Sequence, residues 1–246
     1  MPFIGSIQGV FGYGRSTSID PITSNLVLWY DPSNAASYPG SGTTINDLSP
    51  NPVNGTLANT TYTSPALDYN GTSSQITIAD NARLEPGSGD WTMEAWFNTT
   101  AFKTGGAGTI LGKFDPGGGS ADVSYSIRTN NTGALYAQIG DGLGGYVNST
   151  TYQTVLSTWA QVVYVFKNVA TNSLQTFING LSIGSVGHSL GSILNTSANL
   201  YLGSYNGGEF AQYFNGKIGV VRLYNTALTA SQVLQNYNAD KAKYGL

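Results

Sequence analysis

His188 is the only histidine of the chain, and there is no cysteine. Thiolate nucleophiles, thiolate metal sites and disulfides are therefore excluded. A Ser-His-Asp site would have one imidazole to draw on, and it lies in "SVGHSLGS", a polar stretch in which a lone loop histidine is usually chemically inert. Glu94 is followed by Ala95 and Trp96, and a single Glu on the second face of a strand suits a structural or solvated role. No phosphate-cradling glycine loop and no HExxH helix occurs. The residues point away from catalysis. What remains is oxygen and ring chemistry. Asp115, in "KFDPGGGSAD", could ligate calcium or simply cap a turn. "GDGLGG" (140–145) lacks the spaced carboxylates of a calcium loop and reads as a hairpin tip. Tyr146, Tyr152 and Tyr205 lie in or beside predicted loops. Their rings could stack on sugars, or they could belong to rim packing or a subunit interface.

Composition narrows the partners. Charged residues make up 9% of the chain and the net charge is −3, with no basic run, which argues against nucleic acid. No apolar run approaches the ~20 residues of a membrane-spanning helix. The N-terminal "MPFIGSIQGVFGYGR" has no basic region ahead of an apolar stretch and does not read as a signal peptide. The surface must be built from Ser, Thr, Asn, Gln, Gly and Tyr, a composition suited to hydrogen bonding with neutral partners.

The positioning elements read as strands. "NLVLWYD" (25–31) is a buried strand and 37–57 a long loop. "DWTMEAWFN" (90–98) alternates, with Trp91, Met93, Ala95 and Phe97 on one face and Thr92, Glu94, Trp96 and Asn98 on the other. Further strands are expected at 109–114, 123–128, 134–140, 159–167, 174–180, 199–204 and 217–225. Asn70-Gly71, Asn179-Gly180 and Asn215-Gly216 are hairpin-type turn pairs. Strands recurring without intervening helices favour two stacked antiparallel sheets.

Near the C-terminus "LTASQV" forms a capping box, with Thr229 as N-cap and Gln232 three residues on. Leu228 and Val233 occupy staple positions, and Val233, Leu234 and Tyr237 share a helical face. So short a helix needs a partner surface, and an edge or end of the sandwich is the expected one. Residues 1–20 form a separate N-terminal arm carrying Phe3, Phe11, Tyr13 and Arg15. The arm either docks on a neighbouring subunit or larger particle, or is a strand on the body's own sheet or a frayed tail.

The ordered set "LVLWYD", "DWTMEAWF", "TILGKF", "WAQVVYVF", "LQTFINGL", "LYLGSYNGG" and "FNGKIGVVRLYNTALTASQV" resembles the laminin-G-like, concanavalin A-like lectin/glucanase superfamily, in its pentraxin-related branch. The resemblance implies an all-β fold: a jelly-roll sandwich of two curved antiparallel sheets over residues 21–246, with one short C-terminal capped helix. Glucanases of that superfamily carry Glu-x-Asp-x-Glu, which is absent here, so the implied role is non-enzymatic. In pentraxin-like relatives an Asp at a strand start and an acidic or amide loop before the final strand hold calcium and ligand. The matching positions are Asp122, Asn206 and Glu209, with Asp115 and Tyr205 alongside. The loop has one carboxylate where those relatives have several, which weakens the expectation of Ca2+. The arm and "DPSNAASYPGSGTTINDLS" further resemble bacteriophage structural proteins. That resemblance implies a virion protein assembled in the host cytoplasm and displayed on a capsid or tail as decoration or cement. It would bind other virion proteins and form a homo-oligomer, with a trimer favoured for multivalency. The alternatives are a glycan-binding adhesin and, last, a glycoside-active enzyme.

Overall fold

The alternation at Trp91–Thr99 sets the architecture. Trp91, Met93, Ala95 and Phe97 all point into the main core, and the other face of the strand meets a second layer. The computed structural model describes residues 19–104, 106–115, 123–205 and 212–246. The strands in chain order begin with β1 (Leu26–Tyr30), β2 (Thr44–Ile45), β3 (Gly55–Ala58), β4 (Thr61–Thr63), β5 (Ala66–Asn70) and β6 (Gln75–Ile78). They continue with β7 (Trp91–Thr99), β8 (Gly108–Phe114), β9 (Val123–Thr129), β10 (Ala134–Gly140), β11 (Tyr146–Asn148) and β12 (Tyr152–Gln153). The last are β13 (Trp159–Lys167), β14 (Ser173–Ile178), β15 (Leu181–Gly187), β16 (Leu200–Leu202) and β17 (Asn215–Tyr224), followed by the helix α1 (Ala230–Asp240).

Among the described residues these form two antiparallel sheets of eight and nine strands. The first runs β15-β14-β13-β7-β17-β5-β4, with β1 also on β17; the second runs β11-β10-β9-β8-β16-β6-β3-β2, with β12 on β10. Their inner faces interlock into one apolar core that includes Leu28, Tyr69, Ile78, Trp91, Ile127 and Leu223. The two stacked sheets follow the strand pattern, and the fold is the jelly-roll sandwich implied by the superfamily resemblance.

Several local expectations need correcting. Asn70-Gly71 does not close a hairpin, because β5 belongs to the first sheet and β6 to the second. The Asn70 Oδ1 atom accepts from the backbone N–H groups of Thr72, Ser73 and Ser74, and the chain turns there from one sheet to the other. Asn215 and Gly216 are the first residues of β17 rather than a turn. Asn179 (φ 50°) and Gly180 (φ 79°) do form the β14–β15 hairpin turn, both in the left-handed region. The loop reading of His188 holds: β15 ends at Gly187, and His188 follows it in the loop, its ring stacked on Phe166 at 4.3 Å.

The helix covers a face of the first sheet, not an edge. Its capping box is formed: Thr229 N–H donates to Gln232 Oε1 at 2.8 Å and Gln232 N–H to Thr229 Oγ1 at 3.3 Å. Leu228 and Val233 join Leu26, Val163, Val165, Phe177 and Tyr224 in a second apolar cluster. The inward side of α1 is partly polar, however. Val233, Asn236 and Asp240 are buried and Leu234 is exposed, because the sheet beneath offers Glu94, Tyr224 and Arg222 as partners.

Candidate functional site

α1 covers part of the outer face of the first sheet, and the outer face of the second carries a separate group of polar and aromatic side chains. β9 alternates Ser124, Ser126 and Arg128 outward against Tyr125 and Ile127 in the core. β8 contributes Gly112 and Phe114, and β10 contributes Tyr136 and Gln138, cross-strand neighbours of Arg128 and Ser126. A Cβ on Gly112 would lie 2.1 Å from Phe114 Cε2. Glycine there lets the Phe114 ring lie over the strand, where it meets Tyr205 at 3.9 Å between centroids.

Arg128 sits at the centre of this group. Its guanidinium carbon is 5.1 Å from the Phe114 ring centre and 5.5 Å from that of Tyr205. Nε donates to Ser126 Oγ at 3.2 Å, Nη1 to Gln212 Oε1 at 3.5 Å, and Nη2 to Gln138 Oε1. The acceptors are all neutral. Arg128 is 8% exposed, and burial pulls its pKa below the usual arginine value, although a guanidinium remains charged. Tyr136 and Tyr201 stand half-buried on the same face, and Tyr146 and Asn148 are exposed at its β11 edge.

Two other clusters of buried charge are paired internally. Lys113 Nζ reaches Asp80 at 2.6 Å and Glu85 at 2.8 Å, beside a cleft of about 310 Å³ lined by Asp80, Ala82, Glu85 and Asn195–Ser197. Burial raises the Glu85 pKa against the pull of Lys113; the Lys113 hydrogen bond lowers that of Asp80. The two carboxylates thus share one buried ammonium. Glu94 is neither solvated nor free: it is fully buried and accepts from Arg222 at 3.1 Å, Gln161 at 2.8 Å and Asn236 at 2.7 Å. His188 Nε2 lies 3.1 Å from the Lys167 carbonyl, and burial lowers its pKa.

Of the residues singled out from sequence, Tyr205 is buried against Phe114 and stands in the Arg128 cradle rather than offering an open ring face. Asp115 is half-buried directly after Phe114 at the end of β8. Asp122, Asn206 and Glu209 lie outside the described residues, as do Phe3, Phe11, Tyr13 and Arg15 of the arm. Among the described residues no group of three or more His, Asp or Glu could hold a metal ion. "GDGLGG" is the β10–β11 hairpin tip, where Asp141 Oδ1 accepts from Leu143 N–H and Gly145 N–H, both at 2.8 Å. Tyr146 is exposed and Tyr152 half-buried against the core. Sequence reasoning missed Arg128, Gln138 and Tyr136. The signal was available in "VSYSIR", whose polar alternate positions put an arginine on one face of a strand.

Residues 70–234 match the model of the concanavalin A-like lectin/glucanases superfamily. The chain belongs to this superfamily. The binding domain of Paraclostridial Mosquitocidal Protein 1 superposes on this superfamily member with a TM-score of 0.66 at 16% identity, over 88% of this chain and 52% of that one. The botulinum neurotoxin DC binding domain solved in complex with SialylT gives 0.63 at 12% identity, over 88% and 52%. A structure from botulinum neurotoxin type C, whose cell entry depends on interaction with two ganglioside molecules, gives 0.64 at 11% identity, over 88% and 52%. This lectin-like chain spans about half the length of those structures, and identity at that level speaks for the fold alone. No curated protein matches the sequence.

Proposed function

We propose that the protein is a non-enzymatic carbohydrate-binding jelly roll whose ligand face is the outer surface of the second sheet around Arg128. The observation that carries this reading is the asymmetry of the sandwich. One outer face is partly covered by α1, while the other holds the nearly buried Arg128 and Gln138 beside the half-buried rings of Tyr136 and Tyr201. Amide, guanidinium and phenol groups of this kind fix sugar hydroxyls, and ring faces cover the apolar side of a pyranose. Structural neighbours that meet SialylT and gangliosides support the same class of ligand. Three of the carboxylates in the fold, Glu94 and the Asp80–Glu85 pair, are held by buried cations, which disfavours their use as acid and nucleophile.

A glycan array on purified protein, with calcium and then with chelator, tests this reading. Binding is expected, and Tyr136→Ala should weaken it by roughly tenfold, the scale of one lost stacking contact. Absence of binding in both conditions would overturn the reading. Binding lost with chelator would add a calcium role for Asp122, Asn206 and Glu209, with Asp115 beside them.

The setting we propose is display on a phage capsid or tail, supported by the resemblance of the arm and of "DPSNAASYPGSGTTINDLS" to phage structural proteins. Residues 1–20 would anchor a homo-oligomer there, and a trimer would multiply weak sugar contacts. Deletion of residues 1–20 should abolish incorporation into particles while glycan binding persists; unchanged incorporation removes the anchoring role.

A further inference from the structure

The described chain buries three cations almost completely: Lys113, Arg222 and Arg128. Two of them are doubly neutralised. Lys113 holds Asp80 and Glu85, and Arg222 holds Glu94 at 3.1 Å and Asp240 at 2.6 Å. Arg128 forms no ion pair with any carboxylate of the described residues; its partners are a serine hydroxyl and two glutamine carbonyls. A charge withdrawn from water without a counter-charge is costly, and ring contacts from Phe114 and Tyr205 offset only part of that cost. Neutral amides orient the fork without quenching it. Of the five N–H groups of a guanidinium, the three hydrogen bonds occupy one on each nitrogen. Counting partners among the described residues, one N–H remains on each terminal nitrogen, enough for an oxyanion to accept two charge-assisted bonds. Across the strand pair, Tyr136 supplies a half-buried ring beside it.

Resting on the carbohydrate-binding reading above, we infer that Arg128 is a recognition cation and that the natural ligand is an acidic polysaccharide, whose carboxylate or sulfate group supplies the counter-charge that no described residue provides. The protein itself is acidic, with a net charge of −3, so general attraction does not account for such a preference. Selectivity would come from the local, partly desolvated fork, where a charge-assisted hydrogen bond is stronger than at an open surface.

Calorimetric titration of the full chain with three probes tests this: an oligogalacturonate, a sulfated galactan oligosaccharide and an uncharged galactan oligosaccharide. At least one charged probe should bind about tenfold or more tighter than the neutral one, with the margin shrinking as salt rises. The carboxylate and sulfate arms identify the oxyanion. Arg128→Gln should erase the margin, with charged-probe affinity falling by about tenfold more than neutral-probe affinity. Gln138→Glu gives a second route that does not remove the arginine. A carboxylate beside the fork should raise Tm and abolish the charged-probe margin, whereas a purely structural arginine would raise Tm and leave binding unchanged. Equal affinity for charged and neutral probes would overturn the inference and leave the carbohydrate reading standing. A charged-probe margin that survives both variants would also overturn it. Failure of all three probes to bind would sink both.

Discussion

Arg222 and Arg128 each place a nearly inaccessible guanidinium on the outer face of its own sheet. Around Arg222 two carboxylates close the site through Nη1, while Nε and Nη2 have no hydrogen-bond partner among the described residues. Glu94 and Asp240 flank it, the Trp29 ring lies 5.0 Å away, and Lys243 ties Asp240 on to Asp31 through two contacts of 2.7 Å. Around Arg128 the aromatic shelf is similar but the carboxylates are replaced by Gln138, Gln212 and Ser126. The first arrangement joins the helix to the sheet. The second holds a positive charge ready for something outside the described fold. The comparison separates a charge that supports the fold from one kept for a ligand, and it does so by the identity of the acceptor.

The largest effect should come from breaking the closed site. Arg222→Ala leaves Glu94 and Asp240 buried without their cation and is expected to cost about 3–5 kcal/mol, read by urea unfolding. A loss below about 1 kcal/mol would mean that water enters and rehydrates the carboxylates. Asp240→Asn probes the same site through pH. Burial alone would raise the pKa of Asp240, but Arg222 and Lys243 outweigh it and hold the carboxyl below the usual range. A depressed carboxylate stabilises the fold above its unfolded pKa of about 3.9 and loses that contribution as pH falls through its lower folded value. The Asp240→Asn variant should therefore lie about 1.5–3 kcal/mol below the parent at neutral pH, with the gap closing below about pH 4. A pH-independent gap would assign the effect to packing.

The scaffold of the closed site could be read from sequence, though not its charges, and the reasons are local. The alternation of Trp91–Thr99 is a property of one strand, and the Thr229–Gln232 box of one turn. The polar underside of α1 could not be read, because Asn236 finds Glu94 across 142 residues and Arg222 finds Glu94 across 128. Helical spacing therefore favoured Leu234, which the structure leaves exposed. Asn70-Gly71 misled for a similar reason. The dipeptide specifies a turn, but only partners from β17 and β16 decide that its two flanking strands enter different sheets. The β15 sequence "LSIGSVG" is mostly small and polar, and its pairing with β14 rather than its own pattern makes it a strand. At the ligand face the flanking loops drew attention through Asp115 and Tyr205, while Arg128 went unnoticed inside a regular strand.

Gly112→Val tests how the open site is built. The new side chain would occupy space now filled by the Phe114 ring, since even a Cβ comes within 2.1 Å of it. Overpacking of this kind is expected to cost about 1–3 kcal/mol in stability. Displacing the ring should also free Arg128 from its shelf, so carbohydrate affinity should fall alongside. If affinity holds while stability drops, Phe114 is packing and does not position the guanidinium.

The smallest stability effect should belong to Arg128 itself, and its smallness would sharpen the comparison most. Arg128→Met keeps the length and apolar stem of the side chain while removing the charge. No described carboxylate is orphaned by the change, in contrast to Arg222→Ala, and the desolvation cost of the guanidinium disappears. Gln138, Gln212 and Ser126 lose a donor, but Gln212 is half-exposed and can turn to water. The two contributions oppose each other, so the net change should stay within about 1 kcal/mol by thermal or urea unfolding. A loss comparable to that of Arg222→Ala would place a hidden counter-charge next to Arg128 and make the two guanidiniums equivalent. A near-neutral or stabilising result would mean that the fold does not need this cation, which leaves recognition as the reason for holding it there.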